Sequence, residues 1–590
     1  MKNGKMKYIS VAFLAAAGVS FTACDDFLER PTEDNYVADN FYQNDAQLYQ
    51  AVNPIYNSPW YDFQRGFFKV GEVMAGNYYW GSSPYLTLTV NATDEDLVNM
   101  SASLWSVNAY CNTQIKNIKE KAGAACTEKA INATIGECLT LKALAYFFLV
   151  RSFGGVPIVH DNSSIISSNS YNDLYRAKPE NVYDYIVNTL KAAMEYLPKS
   201  ADAGRIDYYC AEGLLAKVYL TKAGVSGSLN KEDLENAIKY AKDVKENSGR
   251  ELEAEYANIF RISYNTCPES LIAWRWTAEG NNWTRQNTLQ SDLSPSGFDE
   301  TGATWGGGAG PSVDLQKAFG EDALANPEAR VNTDARRKAT LMMAGDVYEY
   351  FWRDRASTFA KGGFEILDFY FNTDEATLKA RDGLTGGGEF QSGTGAQEVK
   401  HLVGDQADHE AECGYKSQRM AYSNATHILR LADVYLVLAE ASCLLNGGIS
   451  GSTTDADAID AFYQVRHRSV SAASVPTSIT WEQVWKERRL ELACEGDRWY
   501  DFVRLAYFEK AAAENEIKAQ DRGTYYGLSD AYKTYFSSGY STWDVSACGY
   551  TAGNAITTVN FTLPFPDTDL LMNPHLTEDP IDVDVKQNTY

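Results

Sequence analysis

The spacing of apolar residues along the chain predicts a scaffold of paired helices. Between Ile135 and Phe153, leucines, alanines and a phenylalanine recur every three or four residues, and the pattern ends at Gly154-Gly155-Val156-Pro157. Successive helices with small residues at close-contact positions are typical of tetratricopeptide-like hairpins, so we predict a mainly all-α fold. The same period recurs in five further segments: Pro179–Leu197, Tyr208–Lys222, Lys231–Asn247, Ile428–Leu445 and Asp455–Arg468.

Two stretches of the chain lack this sustained period. Residues 260–414 contain Gly-rich runs and many aromatic residues, and residues 521–590 begin with a block dense in Tyr and Gly. Loops of that length in a folded protein are usually functional. We therefore predict a single domain over residues 24–590, with a helical scaffold at about 35–259 and 415–520. The insertion at about 260–414 is expected to carry the ligand site.

A charged segment at residues 480–507 reads TWEQVWKERRLELACEGDRWYDFVRLAY. Opposite charges at three- and four-residue spacing meet along one helical face or across a tight turn at Gly496. Because every carboxylate has an arginine in reach, this pattern favours a structural ion-pair network over acid/base catalysis. The residues concerned are Glu487, Arg488, Glu491, Glu495, Arg498, Asp501 and Arg504.

A second group of residues has the spacing of metal ligands on a helix, namely His401, Asp405, His409 and Cys413. Gly404 and Gly414 and the lack of an apolar stripe argue against a helix at this position. The run Gly306–Gly310 lacks the Gly-Lys-Ser/Thr ending of a phosphate loop. We therefore predict neither a metal nor a cofactor. The nine cysteines after Cys24 have scattered spacing, which predicts no disulfide framework but leaves one or two bridges open.

The first 23 residues have the pattern of a bacterial lipoprotein signal. Three lysines in Met1–Lys7 precede an uncharged run, Tyr8–Phe21, which is too short to span a bilayer, and Thr22-Ala23 then lead to Cys24. A plain signal peptide with a chance cysteine is the alternative. We predict that Cys24 becomes the acylated N-terminus and that acyl chains anchor the protein on a membrane.

Composition and charge argue against a nucleic-acid-binding function. The chain has 590 residues, and 53 Lys+Arg against 78 Asp+Glu give a formal charge of −25. Such an acidic protein repels phosphate backbones, so we predict no nucleic-acid partner. Hydrophobic residues at 45% and charged residues at 22% are ordinary for a globular protein. With 38 Tyr and 12 Trp, the chain is rich in side chains that suit binding surfaces.

Aromatic clusters supply the candidate ligand-binding residues. One is Asn77-Tyr78-Tyr79-Trp80, which lies beside turn residues. The flat apolar faces of sugar rings stack on Trp and Tyr, while Asn, Asp and Arg hydrogen-bond their hydroxyl groups. The alternative is that these rings anchor irregular loops in the core, and in the strand-like run LIAWRW at least one Trp is expected to face inward. For the group as a whole we predict a ligand platform. The tryptophans of the insertion are Trp274, Trp276, Trp283 and Trp305.

With these motifs the chain resembles the SusD/RagB family of surface nutrient-binding lipoproteins. The motifs are spread along nearly the whole length, and their order and spacing carry the resemblance. In chain order they are Cys24-Asp-Asp-Phe-Leu with Pro31, Arg151-Ser-Phe-Gly-Gly-Val-Pro157, Asp334-Ala-Arg336-Arg337, Leu429 to Ala441 followed by Asn446-Gly-Gly, Glu487-Arg488, Glu491-Leu492, Glu495-Gly496-Asp-Arg498, Asp501 to Arg504, Leu563-Pro-Phe-Pro566 and Asn573-Pro574.

The resemblance implies a fold of four tetratricopeptide-like units plus a less regular part that carries the ligand site. It implies a lipid-anchored protein on the cell surface at the outer membrane. There it would bind oligosaccharide or polysaccharide and deliver it to a SusC-like TonB-dependent transporter, with no catalytic activity of its own. A RagB-like minority of the family handles peptides instead, and this alternative stays open.

The resemblance also points to two regions that build the site, Trp60–Tyr85 in a loop after the first helix and Trp274–Trp305 in the insertion. From these regions we predict a set of stacking rings with hydrogen-bonding companions. The rings are Trp80, Trp283, Tyr78, Tyr79 and Trp305, and the companions are Asp62, Arg65 and Asn77.

A surface glycoside hydrolase is a further alternative. Such chemistry needs only two carboxylates a few ångströms apart, and the chain has 78 acidic residues. No motif in the sequence singles out a pair, so a binding protein remains the first hypothesis.

Overall fold

The structure, a computed structural model, describes residues 41–168, 170, 174–281 and 283–590. The predicted signal peptide at 1–23 and the predicted acylation site at Cys24 lie outside the described residues. Long helices dominate the fold, so the mainly all-α prediction is confirmed. These scaffold helices are α1 Asp45–Val52, α2 Glu95–Lys121, α3 Glu128–Phe153, α4 Pro179–Tyr196, α5 Tyr208–Lys222, α6 Lys231–Asn247, α7 Leu431–Leu445, α8 Ala456–Ser469, α9 Trp481–Leu492 and α10 Arg498–Ala519.

The scaffold helices pack on one another, and from α2 to α6 the packing partners are neighbours in the chain. The helices α2 to α6 form consecutive packed pairs, and α6 also packs on α7, which joins the two halves of the scaffold across the insertion. Side-chain caps fix several helix starts: Asp94 accepts a hydrogen bond from the Leu97 amide, and Asp207 accepts one from the Cys210 amide. In the described part of the chain, α3 alone is long and apolar enough to cross a membrane, and its 18-residue apolar stretch is fully buried within the fold.

Two local predictions are wrong. The helix expected from Ile428 begins at Leu431, because Thr426–Arg430 forms an antiparallel strand with Ser270–Trp274. The segment between Gly404 and Gly414 does form a helix, Gln406–Cys413. There the glycines flank the helix rather than interrupt it. Asp405 and Asp408 make a reciprocal capping box at the start, and Gly414 ends the helix with a left-handed φ of 87°.

Short helices and small sheets fill the remainder of the fold. The short α-helices are Gln64–Phe68, Asn162–Ser168, Leu289–Leu293, Val313–Ala318, Ala335–Thr340, Ile366–Phe371, Glu375–Ala380, Gln406–Cys413, Leu528–Ser537 and Asp567–Met572. Within the described ranges the strands form two-stranded antiparallel sheets, which pair Tyr78–Tyr79 with Gly310–Pro311, Ser270–Trp274 with Thr426–Arg430, Leu341–Met343 with Ala396–Glu398, Val347–Tyr348 with Phe364–Glu365, Ser452–Thr453 with Ile479–Thr480, and Thr524–Tyr526 with Gly549–Thr551.

The charged segment forms the structural ion-pair network that the sequence predicts, and this buried network also fastens the insertion to the scaffold. At its centre the Glu491 carboxylate lies 3.0 Å from Arg430, 2.5 Å from Arg468 and 3.3 Å from Arg336. Burial alone would raise the pKa of Glu491, but the three guanidinium groups outweigh it and lower the pKa to about 2. Arg336 belongs to the insertion and Arg468 to α8, so a single carboxylate joins both parts.

Candidate ligand-binding site

Two tryptophans stand out by their exposure. All twelve tryptophans lie in the described part of the chain, and ten of them are buried or half-buried. Trp283 exposes 53% of its surface and Trp305 exposes 46%. A large exposed aromatic side chain is costly to keep in water, so a pair of them in one insertion indicates a binding surface.

The segment that faces Trp283 is helical, which corrects the predicted loop at Trp60–Tyr85. It runs from Ser58 to Val73 through a 3₁₀ turn, an α turn and a π turn, and we call it the platform helix. Trp60 is fully buried on its inner side, whereas Tyr61 is half-buried on the outer side. The Tyr61 and Trp283 rings are 6.1 Å apart between centroids. Burial raises the pKa of Tyr61 to about 12, so its hydroxyl stays protonated at neutral pH.

Trp305 is held beside the platform helix by one buried carboxylate. Its indole Nε1 donates a 2.9 Å hydrogen bond to Asp292, which is 4% exposed. Arg65, one turn after Tyr61 and half-exposed, places its Nε 3.6 Å from the same carboxylate. Burial raises the pKa of Asp292, and Arg65 and the Trp305 hydrogen bond oppose that shift. We call Tyr61, Trp283 and Trp305, with Arg65, the aromatic platform.

Trp80 is linked to the aromatic platform by a cation–π contact and a series of ion pairs. It is half-buried, its ring packs 6.2 Å from Phe68, and the Lys69 ammonium lies 5.0 Å from its ring centroid. Lys69 makes a 2.5 Å ion pair with Asp96, which also lies 3.7 Å from Arg65. Asp62, on the platform helix, is exposed, and burial of part of its carboxylate raises its pKa. The structure therefore brings Trp80, Trp283, Trp305, Asp62 and Arg65 to one region.

Two of the predicted ligand residues are core residues instead. Tyr78 is fully buried, and its ring meets Phe68 edge-on at 4.9 Å. Asn77 is also fully buried, where its amide donates to Glu72 and its carbonyl accepts from Arg489. Neither side chain has surface left for a ligand, because the strand Gly310–Pro311 pairs with Tyr78–Tyr79 and covers this side.

The remaining predicted aromatic residues also include both buried and partly exposed side chains. Trp274 and Trp276 are both buried, which confirms that at least one Trp of the LIAWRW run faces inward and removes both from the predicted ligand platform. Trp274 stacks on Trp60 with 5.1 Å between ring centroids, which anchors the insertion to the platform helix. Tyr79 is half-buried and lines a separate cavity, away from Tyr78.

Sequence reasoning did not single out two residues of this site, Tyr61 and Asp292. Tyr61 had a signal, because Tyr61 and Arg65 are four residues apart while Trp60, Phe63 and Phe67 fall on the opposite face of a helix. Asp292 had none. Its importance comes from a contact with a residue thirteen positions later in irregular structure.

The predicted metal-ligand spacing does not produce a cluster. His401 points its Nε2 to the carbonyl of Cys494 at 2.8 Å, whereas His409 lies 2.7 Å from the carbonyl of Tyr415. Over the described residues, no three His, Cys, Asp or Glu side chains are grouped so that they could hold a metal ion. The nine cysteines in the described ranges are free thiols.

The fold defines the class of the molecule: a helical-hairpin scaffold that carries a large insertion with an exposed aromatic surface. A family model described as the SusD family matches residues 237–581, more than half of the chain. A second model, described as starch-binding associating with outer membrane, matches residues 26–220. The chain belongs to the SusD family.

Individual relatives agree with this assignment. A SusD-like protein of Bacteroides ovatus is 31% identical, and the match covers 96% of this chain and 97% of the relative. A solved structure with xylogluco-oligosaccharide is 28% identical at a TM-score of 0.73, covering 91% of this chain and 99% of the other. A laminarin binding SusD-like protein, 21% identical at a TM-score of 0.58, covers 81% and 94% and shows the shared fold alone.

Proposed function

We propose that this protein is a cell-surface lipoprotein that binds oligosaccharide or polysaccharide on its aromatic platform and performs no chemistry of its own. The observation that carries the proposal is the exposure of Trp283 and Trp305, alone among twelve tryptophans, on one insertion. Sugar rings present apolar C–H faces that fit flat aromatic surfaces. Exposed polar side chains at the same place, Asp62 and Arg65, are available for hydroxyl groups.

The platform is largely preformed. The Trp305 ring is held by its hydrogen bond to Asp292, and Arg65 is held near the same carboxylate. Because these side chains lose little freedom when a ligand arrives, stacking energy is not spent on ordering them. A shallow surface of this kind suits a protein that holds a glycan briefly and passes it on.

Xyloglucan is the glycan that we propose first. Support comes from the 28% identical relative whose structure was solved with xylogluco-oligosaccharide and which matches nearly its whole length to this chain. A long glucan backbone offers successive flat ring faces, as separate exposed tryptophans require.

The absence of catalysis in the proposal rests on what the nearby carboxylates do. Asp292 holds Trp305 and Arg65, and Asp96 holds Lys69, so both have structural partners. Incubation of the pure protein with xylogluco-oligosaccharide should yield no new reducing ends. Turnover that Asp62→Asn abolishes would instead indicate a hydrolase.

Anchoring and partner form the remaining part of the proposal. The lipoprotein signal pattern supports acylation at Cys24, and the description of the second family model supports the outer membrane. We expect the protein to deliver its ligand to a SusC-like TonB-dependent transporter. Co-purification of a β-barrel transporter with the tagged full-length protein from native membranes checks this expectation, and recovery of the protein alone would contradict it.

Titration with xylogluco-oligosaccharide tests the platform directly. Trp283→Ala and Trp305→Ala should each lower the affinity about tenfold, because each removes one stacking surface. Leu571→Ala is the matched control, since Leu571 is 84% exposed and lies outside the platform. Unchanged affinity in both Trp variants would refute the platform. A bound peptide in the purified protein would favour the RagB-like alternative.

A further inference from the structure

A second cavity is lined by Tyr79, the residue that precedes Trp80. It has a volume of about 310 Å³, at the lower end of the range for small-molecule sites. One wall is the loop from Tyr79 to Thr87. The other wall is the two-stranded ribbon of Thr524–Tyr526 and Gly549–Thr551, together with the residues that follow it up to Asn554.

The walls of this cavity present unused hydroxyl and amide groups. Ser82, Thr524, Thr551 and Asn554 line it, and within the described part of the chain their side chains make no hydrogen bond. The half-buried ring of Tyr79 forms an apolar surface next to these groups. An aromatic face beside free hydroxyl and amide groups is the combination that recognises a sugar ring.

Among the described residues that line the cavity, Arg522 is the one with a charge. Both of its terminal nitrogens donate hydrogen bonds, and its Nε is buried without a partner. Its guanidinium donates to the carbonyls of Met74 and Leu86, each at 2.7 Å, and to that of Val73 at 3.4 Å. Burial lowers the pKa of Arg522 to about 10, so it remains charged at neutral pH. Arg522 therefore fastens the ribbon to the end of the platform helix and to the loop wall, rather than offering its charge to a ligand.

The cavity and the platform are neighbours in the chain. Tyr79 and Trp80 are consecutive, and Tyr79 lines the cavity while Trp80 packs on Phe68 and Lys69 of the platform helix. The Tyr79–Trp80 segment therefore joins the cavity wall to the surface that carries Trp80.

We propose that this cavity is a second sugar subsite, which takes an uncharged sugar unit of a glycan whose other units lie on the aromatic platform. The inference rests on the proposed function and extends it: the site is bipartite, and full affinity requires a chain long enough to occupy both parts. Its ligand is uncharged because the lining offers hydroxyls, an amide and an aromatic ring but no free ionic partner.

The test compares two lengths of ligand on the purified full-length chain in detergent. The probes are xylogluco-oligosaccharides of one and of two backbone repeats, titrated by calorimetry. Tyr79→Ala should lower the affinity for the longer probe about five- to tenfold and leave the shorter probe unchanged. Asn554→Ala, at an exposed position where folding is not at risk, should lower it about threefold for the longer probe alone.

Tyr526→Ala is the matched control, because Tyr526 is 61% exposed on the same ribbon and does not line the cavity. Equal loss for both probes in Tyr79→Ala would place Tyr79 in the platform and overturn the subsite. No loss in Tyr79→Ala and Asn554→Ala, while Trp283→Ala still weakens binding, would overturn the subsite and leave the proposed function standing. If the wild-type protein binds neither probe, the xyloglucan assignment fails and the subsite fails with it.

Discussion

At the residue scale, the orientation of Trp305 depends on one buried carboxylate. Asp292 accepts the indole hydrogen bond and lies next to Arg65, yet it is only 4% exposed. A buried charge is stable only while it is paired, so Asp292, Arg65 and Trp305 behave as a unit. Loss of the charge should therefore loosen the ring without removing it.

Asp292→Asn tests this unit through its pH dependence. Burial raises the pKa of Asp292 above the usual 3.8, so its carboxylate takes up a proton at a higher pH than a free aspartate. Protonation breaks the pairing with Arg65, so affinity for xylogluco-oligosaccharide should fall as the pH is lowered through that raised pKa. Asp292→Asn keeps an acceptor for the Trp305 hydrogen bond but does not titrate. Its affinity for xylogluco-oligosaccharide should be a few-fold lower at pH 7. This variant should also lack the fall in affinity at low pH, which we call the acid limb.

Calorimetric titrations of both proteins from pH 7 downward make the measurement. Asp62 is the exposed carboxylate of the platform helix, and Asp62→Asn serves as the control for its titration. An acid limb that is unchanged in Asp292→Asn would show that another group governs it.

The sequence predicted which residue types the platform uses better than it predicted which residues are exposed. Trp283 and Trp305 lie among polar and glycine residues along the chain, and both are exposed. Tyr78 and Asn77 lie in equally polar surroundings along the chain, but a two-residue strand and Arg489, more than four hundred positions away, bury them. Burial that depends on contacts so distant in the chain leaves no local pattern to read.

At the element scale, the platform helix packs against the turn that follows α9. The Gly71 position leaves no room for a side chain, because a Cβ there would lie 2.2 Å from backbone atoms of Gly496. Gly496 itself has a left-handed φ of 79°. The buried Glu72 carboxylate accepts hydrogen bonds from the amides of Cys494 and Gly496, and burial raises its pKa to about 7. The ligand platform and the ion-pair network therefore meet at one turn.

Glu491→Gln tests how much the network stabilises the fold. Removal of one partner leaves Arg336, Arg430 and Arg468 with less compensation in the interior, which should lower the free energy of unfolding by about 3–5 kcal/mol at pH 7. Glu482→Gln on the same helix is the matched control. Its carboxylate is exposed, and among the described residues it pairs with the exposed Lys486 alone, so the substitution should leave stability unchanged.

The stabilisation that Glu491 provides should decrease as the pH is lowered. The folded pKa of Glu491 is lowered from 4.5 to about 2, so its contribution is complete above about pH 4.5 and is lost as the pH falls toward 2. Urea unfolding of wild-type and Glu491→Gln proteins should therefore give curves that approach each other below pH 4.5. A constant difference across that window would contradict the assignment.

The sequence predicted a helix well where the buried face is uniformly apolar, and less well where polar residues also lie on that face. The bounds of α5 and α6 agree with the pattern, and their N-cap residues mark the starts. The longest helix, α2, was not predicted. Its buried leucines and valine do recur every three or four residues, but buried polar residues such as Ser101, Asn108 and Asn112 interrupt the stripe.

At the scale of the whole molecule, scaffold and insertion share one hydrophobic core. Leu144 and Leu436 of the scaffold belong to the same continuous cluster as Phe298 and Trp352 of the insertion. The sequence indicated the insertion by its composition, but the short helices that build it carry too few residues for a period to appear. Packing of the insertion into this core explains how irregular structure can hold the exposed tryptophans in place.

The most direct test of the whole account is native gel electrophoresis of the chain from Asp25 onward in gels that contain xyloglucan, laminarin or starch. The account predicts retardation by one of these polysaccharides, with xyloglucan expected. It also predicts that the double variant Trp283→Ala/Trp305→Ala runs as in a plain gel, while Leu571→Ala is retarded like the wild type. Free migration of the wild type in every gel, or full retardation of the double variant, would contradict the claim that this protein binds glycans through its two exposed tryptophans.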